Sequence, residues 1–136
     1  MLVRSRLRKW WRPGLICIGD SAHAMSPIGG VGVNVAVQDA VAAANRLAGP
    51  LKRGQVSDAD LRAIQERRTF AVRFTQWLQL TAQKEVVSRM LKANERPKPA
   101  PIFKLLGVFP VLQRIPARLL GLGIRPEHIH TPEAAP

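Results

Sequence analysis

The residues best suited to chemistry lie in one short segment near the beginning of the chain. Asp20 is followed by Pro27 and then by the closely spaced glycines Gly29, Gly30 and Gly32. Glycines directly before a helix leave backbone N–H groups without partners, and the helix adds partial positive charge at that end. Such an end suits an anion or a ring oxygen bearing negative charge, while a carboxylate accepts hydrogen bonds from hydroxyl groups. The segment therefore predicts a ligand that combines hydroxyl groups with an electron-poor ring.

A strand and a helix must hold this segment in place. Residues 14–20 form a short apolar run between glycines, which predicts a buried strand with Asp20 at its C-terminal end, where parallel α/β sheets place ligand contacts. A lone strand cannot satisfy its own hydrogen bonds, so we expect residues 15–18 to need neighbouring strands that this chain does not supply. Apolar spacing predicts a helix over residues 33–48 that ends at Gly49–Pro50. Its expected buried stripe consists of Val33, Val37, Ala40, Ala44 and Leu47.

The remainder of the chain is predicted to be mainly helical. Ser57 followed by Asp60 is typical of a helix start. The spacing of apolar residues predicts one amphipathic helix to about Ala93, with Arg68 interrupting its apolar stripe. Alternating prolines then predict a stiff linker. The elements expected beyond it are short helices over residues 102–108 and 110–122 and a frayed tail from His128.

Charge and composition limit the class of protein. The 21 lysines and arginines exceed the 9 acidic residues and give a net charge of +12, which attracts polyanions. The sequence lacks tyrosine and any recognisable nucleic-acid motif, so we expect a basic surface or interface and no specific nucleic-acid binding. A single cysteine excludes a disulfide framework, and no zinc-site spacing occurs. No apolar run approaches the ~18 residues of a membrane span, so we expect a cytoplasmic protein.

Several reactive side chains are interpreted as structural. We expect His23 to order its loop by packing and not to act as an acid, a base or a ligand. Cys17 lies within the apolar run and is expected to be a buried, inert thiol. Ser21 has no nucleophile-elbow pattern around it and no identifiable base. Trp10 and Trp11 are expected to serve packing or an interface.

The segment from Gly19 to Ala40 also matches a known pattern. Its residues read Gly19-Asp20-Ser21-Ala22-His23-Ala24-Met25-Ser26-Pro27, then Gly30-Val31-Gly32-Val33-Asn34, then Asp39-Ala40. This pattern resembles the second FAD-binding motif of the class A flavoprotein monooxygenases, the aromatic-ring hydroxylases related to para-hydroxybenzoate hydroxylase. The resemblance runs from about Arg8 to Leu51 and continues more weakly through residues 66–68 and 125–128. It implies FAD as cofactor, NAD(P)H as co-substrate, and hydroxylation of an aromatic or similar small molecule with oxygen.

The resemblance also implies roles for individual residues. Asp20 matches the aspartate that binds the ribityl hydroxyls of FAD, and Pro27 matches the proline beside the isoalloxazine ring. The residues that match the loop and helix start facing the flavin pyrimidine edge are Gly30, Val31, Gly32, Val33 and Asn34. Val31 stands where the family often has glutamine, so a backbone role is retained there while a side-chain contact is lost. Because the cofactor carries the chemistry, we assign no catalytic side chain and no metal site.

The family's Gly-x-Gly-x-x-Gly fingerprint for the FAD pyrophosphate does not occur in this sequence. We therefore expect the chain to correspond to the C-terminal part of such an enzyme and to be inactive by itself. The expected fold is an α/β fragment. Its parts are the last strand and loop–helix of a Rossmann-like FAD-binding domain (1–51), a long amphipathic helix (52–96), and a proline-rich linker with short helices and a tail (97–136).

Other interpretations stay open at this point. The chain could instead be a non-catalytic remnant that serves as a helical interaction or membrane-surface module without flavin. Residues 102–122 carry scattered cations that would suit a peripheral membrane contact, although core or subunit packing is the favoured interpretation. The sequence does not decide whether the protein is a homodimer, which substrate it takes, or whether NADH or NADPH is used.

Overall fold

The computed structural model describes residues 5–27, 30–91, 114, 118 and 121–130. The elements in this part of the chain are strands β1 (Trp11–Arg12) and β2 (Leu15–Ile16) and helices α1 (Asp20–His23), α2 (Val31–Lys52) and α3 (Asp58–Leu91). Residues 114, 118, 121 and 122 are also helical. The described fold is therefore predominantly α-helical and carries one small β-hairpin.

The predicted strand finds a partner within the chain itself. β1 pairs with β2 in an antiparallel ladder in which Trp11 lies opposite Ile16. The Cys17 N–H extends the pairing by donating to the Trp10 carbonyl at 2.8 Å. Gly14 adopts a left-handed φ of 76°, which lets the chain turn back on itself directly after Pro13. The prediction that this strand needs partners from elsewhere was therefore wrong for its first half, and the pairing found is antiparallel.

Helix α2 continues past its predicted end at Gly49–Pro50. The glycine that ends the helix in a left-handed conformation is Gly54, with φ of 65°, and not Gly49. Its N–H donates to the Leu51 carbonyl at 3.1 Å, while the Gln55 N–H donates to the Pro50 carbonyl at 2.9 Å. These two bonds form a Schellman motif, which satisfies carbonyls that the helix end would leave open. Pro50 is tolerated because it lies in the last turns, where only one helical hydrogen bond is lost.

The face of α2 that packs inward differs from the predicted stripe. Val33 and Val37 are 71% and 57% exposed, and Ala40 and Ala44 are exposed as well. The buried residues of the helix are Val31, Val35, Asp39 and Ala42. Small apolar residues occupy both faces of α2, so their spacing alone could not select one. The face that carries Asp39 packs inward because this carboxylate is paired with a buried arginine of α3.

Helix α3 begins as predicted. The Asp60 N–H donates to Ser57 Oγ at 3.3 Å, and the Ser57 N–H donates to Asp60 Oδ2 at 3.1 Å, in a reciprocal capping arrangement. Its inward face places Leu61, Ile64, Ala71 and Val72 in the interior. The core joins the three helices and the residue before β1 through Trp10, Ala22, Val31, Val35 and Val72. Cys17 and Met25 pack against it, and Cys17 is only partly buried, so the prediction of a buried thiol was wrong in extent. The structural interpretation of Trp10 and Trp11 is confirmed, since both are buried.

The segment that follows Gly121 is docked on the helices. Asn45 Nδ2 donates to the His128 carbonyl at 2.7 Å, and the His130 N–H donates to Asn45 Oδ1 at 2.8 Å. The prediction of a frayed tail from His128 was therefore wrong for residues 128–130, because one asparagine side chain pairs with two of their backbone groups. The predicted proline linker, the helix over 102–108, most of the helix over 110–122 and the end of the tail lie outside the described residues. Neither long helix, over its described length, contains an apolar stretch able to cross a bilayer.

Candidate functional site

Asp20 opens a single helical turn. Gly19, with φ of 58°, precedes it, and the Gly19 carbonyl accepts hydrogen bonds from the N–H groups of Ala22 and His23 at 2.9 Å each. Ser21 Oγ donates to the Ile18 carbonyl at 2.7 Å, which ties the turn to the preceding segment. The Asp20 side chain is exposed to solvent. The expected position at the tip of a parallel strand was wrong, and the aspartate lies instead on a tightly bonded turn.

The turn packs directly against the amino-terminal part of α2. A Cβ added to Gly19 would lie 2.9 Å from the Ala36 Cβ, closer than real Cβ contacts. A Cβ added to Gly32 would lie 3.7 Å from the Met25 Cβ, which is ordinary contact. Residues 19–25 therefore run alongside the first two turns of α2. Gly19, directly before Asp20, lies beside the second turn of α2, and Met25 lies beside its first turn.

The amino terminus of α2 follows a glycine and carries several exposed residues. Gly30 precedes the helix in a left-handed conformation with φ of 63°, and no side chain among the described residues caps the helix there. The Gly30 N–H is satisfied by the Pro27 carbonyl at 3.1 Å. Pro27, Gly30, Val33 and Asn34 are exposed, whereas Val31 is buried in the core. The helix start thus combines an anchored backbone with exposed side chains around it.

A buried carboxylate connects these two parts. Asp39 Oδ2 accepts the Gly19 N–H at 3.0 Å and His23 Nε2–H at 2.5 Å. Asp39 Oδ1 accepts Arg68 Nε–H at 2.8 Å. The side chains of Asp39, His23 and Arg68 are at most 1% exposed. The predicted packing of His23 is confirmed, since its ring also lies against the Trp10 ring with centroids 5.0 Å apart.

The electrostatics of this cluster favour an ionised aspartate. Burial is the largest single influence and raises the pKa of Asp39, but the hydrogen bonds from His23, Arg68 and the Gly19 N–H together lower the pKa below its ordinary value. Because an ionised carboxylate can only accept, His23 Nε2 carries the proton. His23 Nδ1 is buried and has no hydrogen-bond partner in the described part of the chain.

A second layer links the cluster to the docked C-terminal segment. An Arg68 terminal nitrogen donates to the Arg125 carbonyl at 3.2 Å and lies 3.5 Å from Glu127 Oε1. Arg67 Nε donates to the same carboxylate at 2.8 Å, and this hydrogen bond raises the pKa of Arg67. Arg67 is 56% exposed, in contrast to its buried neighbour. Two adjacent arginines therefore occupy very different environments.

Polar side chains of α3 also reach the loop between α1 and α2. Gln79 Nε2 donates to the Ser26 carbonyl at 3.1 Å, and Gln76 Nε2 makes a longer contact of 3.5 Å to the Ala24 carbonyl. Both glutamines are buried. Spacing of apolar residues could not identify them, because glutamine on a helix is ordinarily exposed. For Arg68 a signal did exist, since a charge within an apolar stripe indicates a buried ion pair.

Comparisons with known proteins match the part of the chain that contains this site. A family model described as FAD binding domain matches residues 2–78. The chain is 52% identical over 61 residues to the 6-methylpretetramide 4-monooxygenase of Streptomyces rimosus, covering 45% of this chain and 15% of that protein. It is 34% identical over 119 residues to the FAD-dependent monooxygenase ltmM of Epichloe festucae (85% and 24% covered) and 36% identical over 130 residues to the FAD-dependent monooxygenase idtM of Claviceps paspali (87% and 23% covered).

The chain thus matches between 15% and 24% of the length of these relatives. The matched residues 2–78 include the turn at Asp20, the start of α2 and the buried pair of Asp39 with Arg68. Since the family model covers more than half of the chain, the protein belongs to the FAD binding domain family, and its cofactor is FAD.

Proposed function

We propose that this chain forms the ribityl- and isoalloxazine-facing part of the FAD site in a monooxygenase that hydroxylates an aromatic or similar small molecule with NAD(P)H and oxygen. The observation that carries the proposal is the packing of the Asp20 turn against the first turns of α2, with Gly19 in contact with Ala36. A monooxygenase is supported by the relatives, which are themselves named as monooxygenases.

The residues at this place fit a flavin. The Asp20 carboxylate is exposed and can accept hydrogen bonds from the hydroxyls of a ribityl chain. The start of α2 has no side-chain cap among the described residues, so its N–H groups and its partial positive charge can face a ring edge that carries negative charge. FAD supplies the redox and oxygen chemistry when bound, and the chain contributes binding, orientation and electrostatics.

The other candidate FAD-binding residues would contribute either through their backbone or through exposed side chains. Val31 packs in the core, so any role toward FAD comes from its backbone. Gly32 is partly buried against Met25. Because glycine has no side chain, the loop at Met25 can lie close to the backbone of α2 there. Pro27, Val33 and Asn34 are exposed, and we assign their surfaces to the ring and to the substrate beside it.

We further propose that the hairpin and α2 correspond to part of a Rossmann-like domain and that this chain supplies only part of the FAD contacts. The Gly-x-Gly-x-x-Gly pattern that would hold the pyrophosphate does not occur in the sequence. We therefore expect the isolated chain to bind FAD with a Kd above about 1 μM, because only the ring and ribityl contacts are made. Riboflavin, which lacks the pyrophosphate and adenine, should then bind nearly as well.

The test is a titration of FAD and of riboflavin into the purified chain, followed by flavin fluorescence. Asp20→Asn should raise both dissociation constants by roughly 10- to 100-fold, because hydrogen bonds to a charged group contribute roughly 1.5–3 kcal/mol. Asp58→Asn is the matched control, since Asp58 is also exposed and lies in the first turn of a helix. Equal effects of the two substitutions would refute the role of Asp20. A folded chain that binds neither flavin at millimolar concentration would favour the alternative of a non-catalytic interaction module.

A further inference from the structure

The buried carboxylate of Asp39 joins the two elements that would hold the flavin. Its Oδ2 accepts the Gly19 N–H at 3.0 Å and His23 Nε2–H at 2.5 Å, so it holds the one-turn helix on both sides of Asp20. Asp39 itself belongs to α2, whose first turns pack against that same helical turn. The Asp39 carboxylate therefore ties both ends of the one-turn helix to α2.

Arg68, on helix α3, binds the other oxygen of the same carboxylate. Its Nε–H donates to Asp39 Oδ1 at 2.8 Å, and both side chains are at most 1% exposed. Both oxygens of the carboxylate are therefore engaged, Oδ1 by α3 and Oδ2 by the turn. Charge-assisted hydrogen bonds in a buried site are short and strong, so this link is stiff. Arg68 is anchored in turn by the Arg125 carbonyl at 3.2 Å.

We propose that Arg68 is a positioning residue for the FAD site, which acts through Asp39 to set the separation between the Asp20 turn and the amino terminus of α2. This inference rests on the proposed function. Arg68 does not touch the cofactor in this assignment, and flavin affinity depends on it because the distance between two flavin contacts depends on it. The packing of α3 against α2 is thereby coupled to flavin binding.

Hydrogen exchange distinguishes an ion pair that only stabilises the fold from one that also positions the turn. Loss of stability alone speeds hydrogen exchange at all amides that exchange by global unfolding, and by the same factor. Loss of positioning adds a local effect in the turn and at the start of α2. The Gly19 amide reports the local effect because Asp39 is its acceptor. The amides of Ile64 and Val72, buried in α3, report the global one.

The experiment is backbone hydrogen exchange on the full 136-residue chain. Arg68→Met should accelerate exchange at the Gly19 amide more than at the amides of Ile64 and Val72. The acceleration factor at Gly19 should exceed theirs by about tenfold or more. Arg67→Met is the matched control, because Arg67 is the adjacent arginine, its side chain is 56% exposed and its hydrogen bonds go to Glu127 and not to Asp39. It should change Gly19 exchange by no more than the change at Ile64 and Val72 accounts for. Arg68→Lys, which keeps the charge but not the planar guanidinium, should show an intermediate local effect and serves if Arg68→Met does not fold.

Two results would overturn the inference. One is acceleration by a single uniform factor at Gly19, Ile64 and Val72 in both Arg68 variants. The other is a riboflavin Kd that is the same in Arg68→Lys as in Arg67→Met, where we expect about a tenfold difference. If the unmodified chain binds no riboflavin, the proposed function fails, while the exchange measurement still decides whether Arg68 positions the turn.

Discussion

Substitution of Gly19 by alanine tests the contact on which the proposed site depends. Gly19 has φ of 58°, and an added Cβ would lie 2.9 Å from the Cβ and 3.6 Å from the Cα of Ala36. An L-residue in the left-handed region costs roughly 1–2 kcal/mol. Overpacking of a well-packed contact adds roughly 1–3 kcal/mol. We therefore expect Gly19→Ala to lower the free energy of unfolding by about 2–5 kcal/mol.

Two further variants separate the backbone cost from the clash. Gly54→Ala is the matched control, because Gly54 has φ of 65° and no described atom lies within 4 Å of an added Cβ. It should cost only the backbone part, roughly 1–2 kcal/mol. Ala36→Gly alone should lower the free energy of unfolding by up to about 1 kcal/mol, because glycine is less favourable than alanine within a helix. Combined with Gly19→Ala it should remove the clash, so the double-mutant cycle should show a favourable coupling of roughly 1–3 kcal/mol.

The assay is urea unfolding followed by far-ultraviolet circular dichroism for the unmodified chain, the three single variants and the double variant. Riboflavin titration of the folded variants adds a functional measurement, in which Gly19→Ala should weaken binding more than Gly54→Ala. Equal losses of stability for the two glycines would show that the turn does not press on α2. Strict additivity of Gly19→Ala and Ala36→Gly would lead to the same conclusion, and the geometry behind the proposed flavin site would then be wrong.

Three further outcomes are expected in the same unfolding assay. Hydrogen bonds lower the pKa of Asp39 below its ordinary 3.8 despite its burial. The ionised Asp39 therefore stabilises the fold above pH 3.8, and this stabilisation is lost as the pH falls through and below that value. The unfolding free energy should accordingly change less steeply between about pH 5 and 3 in Asp39→Asn. Ser57→Ala should cost about 1 kcal/mol because it removes the hydroxyl that caps Asp60, and an unchanged midpoint would contradict this. Arg67→Met should cost less than about 1 kcal/mol because its pair with Glu127 is exposed on the arginine side, and a larger loss would mean that the C-terminal segment depends on it.

The contrast between Arg67 and Arg68 explains how this small fold holds its site together. The pair of the exposed Arg67 with Glu127 joins the C-terminal segment to the helix surface, where solvent reaches the arginine and screens the interaction. The buried pair of Arg68 with Asp39 joins three elements, since Asp39 also holds the turn before Asp20. Removal of one partner from a buried pair leaves an uncompensated charge, which is costly. The interior of the fold is therefore organised around an ion pair as much as around apolar packing.

Local patterns determined the features that depend on neighbouring residues. The start of α3 followed from Ser57 and Asp60, because a capping hydroxyl and an acidic residue act within one turn. The glycines before α2 and the resemblance of residues 19–40 to an FAD-binding motif led to the cofactor, which the family match supports. The packed role of His23 also followed from sequence, since nothing around it indicated catalysis.

Tertiary structure decided the features that depend on distant partners. The small residues of α2 occupy both of its faces, and the inward face was selected by Arg68, which lies 29 positions after Asp39. Local spacing contains no information about such a partner. The exposed face of Val33 and Val37, the hairpin partner of β2 and the docking of residues 128–130 on Asn45 were missed for the same reason. Periodicity describes one element at a time, whereas burial and ion pairing are properties of two elements in contact.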